Sequence, residues 1–262
     1  MKKMFVILAL AWMLTSCAAP YTSGQIDPAE EVHLTEPTQT LPPATTQAPA
    51  VPTEPPVPLA IPGVSADDAV LYFSEVCLDA EFSDSEAADL VQKWASPILY
   101  TINGSPTEED LQTFSVFVDW LNDLEGFPGL AEASTPELMD LRIHFCTEQE
   151  LLAIMGSEYA GTDGAVTFWF NDDNIIYDAV ICIRSDLDQE VRNSVILEEL
   201  YNCLGPVQDT LLREDSLIYQ GYSTPQWLTP VDELILRLLY HPDIKPGMNQ
   251  AECEQVIRSL YQ

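Results

Sequence analysis

The segment EELYNCLGPVQD at residues 198–209 is the most informative part of this 262-residue chain. It closes a run with helical spacing that begins at Asp188. Its Gly-Pro pair is a typical helix end, because glycine adopts left-handed backbone readily and proline cannot continue the helix. Two short segments follow, SLIY at 216–219 and LTPVD at 228–232. A threonine before a proline favours the start of a new helix, so this part is predicted to be helix, turn and helix.

Outward from this segment, the pattern predicts one folded domain over residues 63–262. Apolar spacing and capping residues predict helices, and short β-rich or alternating runs bounded by turn residues predict strands. Helices are predicted at 67–82, 86–95, 105–124, 147–155, 188–204, 229–240 and from 249 onward. Strands are predicted at 98–102, 141–145, 166–170 and 175–183. The expected fold class is α+β, a mixed sheet with packed helices and a C-terminal helical part.

The charge balance excludes one large class of function. The chain has 42 Asp and Glu against 10 Lys and Arg, a formal net charge of -32. Such an acidic surface repels polyphosphate, so nucleic-acid binding is not expected. Apolar residues make up 47% of the chain, enough for a real core, but only the first residues form a long apolar run. A multi-span membrane protein is therefore excluded as well.

The N-terminus is predicted to be a secretory signal over residues 1–16. Lys2 and Lys3 precede a short apolar stretch, which is too short for a standard membrane-spanning helix. Residues 14–17, Leu-Thr-Ser-Cys, resemble a bacterial lipobox. That resemblance implies that Cys17 becomes the lipid-modified first residue of the mature protein, and that acyl chains such as palmitate hold it on the extracytoplasmic face of the cell membrane. The alternative is an ordinary signal peptide with a chance cysteine.

Residues 17–62 are predicted to form a lipid-anchored linker without a core. The segment 18–62 holds 11 of the 20 prolines, interleaved with Thr, Ala, Gln and Glu. This composition favours extended polyproline II and provides too little clustered apolar surface to offset the entropy of ordering. We expect a disordered Pro/Thr-rich stalk that lifts the domain from the bilayer. A proline-motif ligand for a partner is the alternative.

Five cysteines remain once Cys17 is assigned to the lipid. Five thiols allow at most two disulfides, with fifteen pairings for two bridges, and none of their spacings is C-x-x-C. A zinc ribbon or redox pair is therefore not expected, and isolated buried thiols are as compatible with the sequence as disulfides. The pairing stays open. The five lie at Cys77, Cys146, Cys182, Cys203 and Cys253.

The order of motifs from 198 to 240 resembles the metzincin metallopeptidases. Their active-site helix reads H-E-x-x-H-x-x-G-x-x-H-D and is followed by a methionine turn and a helix that ends in L-Y. On that resemblance, Glu198, Asn202 and Gln208 occupy the three positions of the zinc histidines. Two of these side chains are neutral carboxamides, which are poor zinc ligands. A catalytic zinc is not expected, nor any other cofactor.

The scaffold marks of the metzincin motif are kept although its metal ligands are not. Glu199 coincides with the catalytic glutamate, Gly205 with the turn glycine and Asp209 with the final aspartate. Ile218 falls on the methionine of the turn. The resemblance therefore implies a metzincin-like domain without its zinc.

The same string is even more similar to an uncharacterised bacterial family, the domain of unknown function numbered 2927. Its members carry E-E-L-x-Q-x-L-G-x-x-x-D, a serine-led turn that corresponds to Ser216, an L-T-x-x-D segment and a later Gly-Met pair. Asn202 departs from the glutamine that is common in this family. The resemblance is strong over 195–248 and weaker back to residue 63. It carries no established activity.

Three interpretations of the acidic residues stay open. In the first, Glu198, Glu199, Asp209 and Asp232 are partly solvated, or cap helix ends and bind backbone N–H groups. Alternatively, Glu198, Asp209 and Asp232 could form an oxygen-rich calcium site. In the third interpretation Glu199 is the general base of a divergent hydrolase or peptidase.

The leading hypothesis is a cell-surface lipoprotein whose domain is a non-catalytic binding or accessory module. Its partner would be a protein, a peptide or a cell-wall component. His144 alternates with Ile143 and Phe145 and is predicted to lie on the surface or on a sheet edge.

Overall fold

A computed structural model describes residues 59–78, 89–221 and 224–261. The predicted signal peptide, Cys17 and all but the last four residues of the predicted linker lie outside this part of the chain. Leu59 and Ile61 pack partly buried against the core. The Ile61 N–H also donates to the hydroxyl of Tyr261, at 3.2 Å, which ties the beginning of the described domain to its end.

One mixed sheet of six strands organises the domain. β2 lies between β3 and β4, β4 pairs with β6, and β1 also pairs with β6, all in parallel. β5 is antiparallel to β6, to which it is joined by the turn at 171–174. The strands are β1 Lys93–Trp94, β2 Ile98–Gly104, β3 Leu130–Glu132, β4 Leu141–Cys146, β5 Gly164–Phe170 and β6 Ile175–Arg184.

In the described residues, six α-helices pack around this sheet. Four of them begin with a capping box, in which the N-cap side chain and the acid three residues later satisfy each other's backbone N–H groups. Short 3₁₀ helices lie at Pro136–Leu138 and Ser157–Tyr159. The α-helices are α1 Ala66–Leu78, α2 Glu108–Asn122, α3 Glu148–Met155, α4 Gln189–Cys203, α5 Pro230–Leu239 and α6 Gln250–Leu260.

The two faces of the sheet bury different sets of side chains. Ile181 and Ile183 of β6 belong to the main core, to which α2 and α4 contribute. Val180 and Cys182 point the other way, into a smaller cluster under α3. This alternation is the period of two that a strand covered on both faces requires. The α+β class expected from the sequence is confirmed.

The predicted helix at 86–95 is wrong over its last residues, because Lys93 and Trp94 form strand β1. Lys93 pairs with Ile175 and Trp94 with Ile176, and the indole Nε1 of Trp94 donates to the carbonyl of Cys203 at 2.9 Å. These partners lie far away in sequence, so local helix propensity is overridden. The three-residue strand β3 was not predicted, because it is too short to show a period.

No helix in the described ranges 59–78, 89–221 and 224–261 is long and apolar enough to cross a membrane.

Candidate functional site

Helix α4 carries the motif residues and is buried along most of its length. Every residue from Ser194 to Cys203 is buried, so the helix has no wide polar face. It ends at Gly205, whose φ is +124° and where an added Cβ would lie 2.3 Å from the carbonyl oxygen of Gln92. Only glycine fits this position, which accounts for the turn glycine of the motif.

Two aromatic side chains from other elements satisfy the end of α4. The indole of Trp94 bonds to the carbonyl of Cys203, and the hydroxyl of Tyr240 donates to the carbonyl of Leu204 at 2.8 Å. The last carbonyls of a helix lack intrahelical partners, so these bonds satisfy groups that would otherwise be orphaned. Tyr240 is the tyrosine of the L-Y signature, and this bond gives it a structural role that sequence alone did not show.

The acidic and carboxamide residues of the motif are enclosed. Glu198 is 1% exposed, Glu199 2%, Asn202 3% and Asp209 7%, while Gln208 is partly buried. The carboxamide oxygens of Asn202 and Gln208 are buried, and no described residue donates to either of them. A buried oxygen of this kind requires a partner such as an ordered water or an ion, so this region is polar inside a largely apolar core.

Glu199 is held against the first residue of strand β5. A Cβ added to Gly164 would lie 2.6 Å from Oε1 of Glu199 and 2.5 Å from Cγ1 of Val195. Helix α4 therefore approaches β5 closely because Gly164 has no side chain. Burial, followed by the charge of Glu199, raises the pKa of Cys203. Gly164 was missed by the sequence interpretation, since its role depends on a neighbour 35 positions away.

Asp232 and Ser216, both predicted motif residues, are brought together in the core. The Ser216 hydroxyl donates to Oδ1 of Asp232 at 2.7 Å, and the Leu217 N–H donates to Oδ2 at 3.1 Å. Oδ2 also accepts from the backbone N–H and the hydroxyl of Thr229 in the capping box of α5. Both Ser216 and Asp232 are fully buried. The carboxylate thus fastens the turn at 216–219 to the start of α5.

Helix α4 also contacts the start of α5. The hydroxyl of Tyr201 donates to the backbone carbonyl of Asp232 at 3.0 Å. Asp232 acts as the helix-capping interpretation of the acids expects, and its oxygens are already bonded to protein groups. In the described residues, no group of three or more His, Cys, Asp or Glu side chains is arranged to hold a metal ion.

The two histidines of the domain lie apart from the motif. His144 was predicted to lie on the surface or on a sheet edge. It is partly buried on the central strand β4, between β2 and β6, so the edge alternative is wrong, whereas its place in the wall of a surface cavity agrees with the surface alternative. Its side chain lies on the same face of β4 as that of Arg142, opposite the face that is buried in the main core. His241 follows α5, and its Nδ1 accepts from the N–H of Asp243 at 3.1 Å.

All five cysteines of the domain are buried free thiols. Cys146 on β4 and Cys182 on β6 are neighbours, and the hydrogen bond between their side chains raises the pKa of Cys182 and lowers that of Cys146. Burial raises the pKa of Cys253 to about 12 and that of Cys77 well above its ordinary value. The thiols whose pKa is raised are poor nucleophiles, because the thiolate is the reactive form.

Surface cavities lie elsewhere on the domain. One of about 350 Å³ lies over β2 and β4, and two others, of about 700 and 320 Å³, flank α1. Glu199 and the other motif acids line none of these three.

Comparison with known proteins places the motif in a family. A family model described as a protein of unknown function (DUF2927) matches residues 66–259, which include every helix and strand of the domain except the last residue of α6. A search of curated proteins gave no match to the chain.

Proposed function

This chain belongs to the DUF2927 family of proteins of unknown function, and we propose that its domain is a non-catalytic binding or accessory module held at the cell membrane by an N-terminal lipid. The ligand would be a protein, a peptide or a cell-wall component on the extracytoplasmic side.

The enclosure of Glu199 carries this proposal. A general base must reach the proton it removes directly or through one water, and it must share a cavity with the substrate. Glu199 is 2% exposed and is wedged between Gly164 and its own helix. The position of Glu199 beside Gly164 therefore fits a structural role better than that of a general base, which must contact the substrate.

A metzincin-like origin of the domain is supported by the structural tasks of three residues. Gly205 ends the motif helix with a backbone that only glycine adopts easily, Ser216 leads the following turn, and Asp232 bonds that turn to the next helix. The positions of the zinc histidines hold Glu198, Asn202 and Gln208, a set that does not suit zinc.

A hydrolysis and metal measurement tests the non-catalytic role. We expect purified protein without a His tag to hold no stoichiometric zinc and to leave a peptide library uncleaved. Glu199→Gln, which keeps the shape of the side chain, should leave both results unchanged. Stoichiometric zinc that is lost in Glu198→Ala, or cleavage that is lost in Glu199→Gln, would overturn the proposal.

Calcium binding is a second candidate, favoured by the two enclosed carboxamide oxygens at Asn202 and Gln208. Calcium accepts carboxamide and carboxylate oxygens. The set predicted from sequence was Glu198, Asp209 and Asp232, of which Asp232 is already bonded to Ser216, Leu217 and Thr229. A saturable rise of Tm with calcium that is absent in Asn202→Leu would establish calcium binding by these residues.

The anchor is tested separately. Cys17→Ala should release the protein from the membrane fraction into the medium, because the acyl chains supply the membrane affinity. Retention of the variant in the membrane fraction would contradict the lipid anchor.

A further inference from the structure

One face of the sheet carries a polar cavity that has no part in the motif. The register places Thr101 opposite Arg142 and Asn103 opposite His144 on β2 and β4. The intervening residues of β4 are buried in the core, so these four side chains share the other face. They line the cavity of about 350 Å³, whose remaining wall includes Ile102, Ala133, Met139 and Glu132.

The guanidinium of Arg142 has unused hydrogen-bond donors. Its Nη2 donates to Oδ1 of Asp178 at 2.5 Å. Its Nε is enclosed, and no described residue accepts from it. Arginine offers five N–H donors in a planar fork that suits carboxylates. The side chain keeps 29% of its surface exposed.

Other arginines with partly buried side chains are better satisfied. Arg184 and Arg213 each use Nε and Nη2 in a paired contact with one neighbouring aspartate. Arg192 bonds Asp110 through Nε and two backbone carbonyls through Nη1. Among these four arginines of the described residues, Arg142 makes the fewest hydrogen bonds, and it lines the cavity of about 350 Å³. Arg213, which lines another cavity, is held by two bonds to Asp215.

The electrostatics of the cavity differ from those of the whole chain. Burial, and then the charge of Arg142, lower the pKa of His144. The imidazole is therefore neutral at neutral pH and offers one donor and one acceptor. Glu132 on the wall and Asp178 beside Arg142 disfavour a doubly charged ligand. The guanidinium is already paired with Asp178, so the ligand that suits it carries a single negative charge, with a small apolar body beside Ala133 and Met139.

We infer that this cavity binds a monocarboxylate borne on a small aliphatic group, with the guanidinium of Arg142 as the partner of the carboxylate. Two sources present this chemistry, a free short-chain acid and the C-terminus of a peptide. The inference rests on the proposed function in treating the domain as a binding module, but none of the motif residues takes part in it.

Calorimetric titration of the full-length protein in detergent tests the inference. The probes are N-acetyl-alanyl-alanine, its C-terminal amide and propionate. We expect saturable binding of the free dipeptide and at least tenfold weaker binding of the amide, because the amide has no charge for Arg142. Propionate that binds as tightly as the dipeptide identifies a free acid as the source, and tenfold weaker propionate identifies a peptide C-terminus.

Variants assign the effect to Arg142. Arg142→Gln should weaken the dipeptide at least tenfold, whereas Arg237→Gln, an exposed arginine on α5, should not change it. If Arg142→Gln fails to fold, the comparison of acid and amide on the unaltered protein decides. Equal binding of acid and amide, no saturable binding of either carboxylate, or an unaffected Arg142→Gln would each overturn the inference. Any of these would leave the zinc, cleavage and anchor tests of the proposed function untouched.

Discussion

At the scale of single residues, Gly164 fixes the distance between strand β5 and helix α4. We expect Gly164→Ala to lower the free energy of unfolding by about 1–3 kcal/mol, because the added methyl group overlaps Val195 and Glu199 in a packed core. Its Cβ would lie 2.5 Å from Cγ1 of Val195. Urea unfolding measures the change.

The double variant Gly164→Ala/Val195→Ala is the control for that clash. Removing the methyl groups of Val195 makes room for the new Cβ. The double variant should therefore lose less unfolding free energy than the two single variants lose together. Additive losses, within about 0.5 kcal/mol, would show that the contact with Val195 is not the cause.

At the scale of elements, Asp232 joins the turn at 216–219 to helix α5. Asp232→Ala should lower the free energy of unfolding by about 2–4 kcal/mol, because it removes the capping box and leaves the buried Ser216 hydroxyl and Leu217 N–H without their acceptor. Thermal and urea unfolding give the value.

Glu252 supplies the matched comparison, since it occupies the same position of the capping box of α6 but is exposed. Its replacement by alanine should cost under about 1 kcal/mol. Equal losses at Asp232 and Glu252 would mean that the bond to the turn contributes nothing beyond helix capping.

At the scale of the whole molecule, buried thiols and phenols set the alkaline limit of stability. Burial raises the pKa of Cys253 to about 12 from its ordinary 9.0, and that of Tyr159 to about 12 from 10.0. A folded pKa above the unfolded value gives a contribution that is complete below the unfolded pKa and is lost as pH rises through the folded one. Stability should therefore fall between about pH 9 and 12, by at most about 1.4 kcal/mol per pH unit for each group.

Lys93 acts in the opposite direction. Burial lowers its pKa to about 8 from 10.5. The folded protein therefore loses this proton before the unfolded chain does, and the contribution of Lys93 to stability rises with pH between these two values. One lysine is outweighed by the buried thiols Cys77, Cys203 and Cys253. The unfolding free energy measured from pH 9 to 11 should decline, and less steeply in Cys253→Ala. An unfolding free energy that does not change with pH, or a pH dependence that Cys253→Ala leaves unaltered, would contradict the assignment of the decline to buried thiols.

The sequence by itself determined the features that depend on neighbouring residues. The capping boxes of α3, α5 and α6 begin at Thr147, Thr229 and Asn249, where local spacing predicted helix starts, and that of α2 begins at Thr107, two residues after the predicted start at 105. The end of α4 before Gly205, the α+β class and the DUF2927 family follow from short patterns too. Such signals are local because a helix end satisfies its backbone groups within a few residues.

Only the tertiary structure decided what brings distant residues together. Strand β1, the enclosure of Glu199 by Gly164 and the bond between Ser216 and Asp232 each join segments separated by many positions. The cavity around Arg142 arises from the register of β2 against β4. Contacts between distant segments depend on which surfaces pack together once the core forms. The local periodicity of a single sequence carries no signal for such contacts.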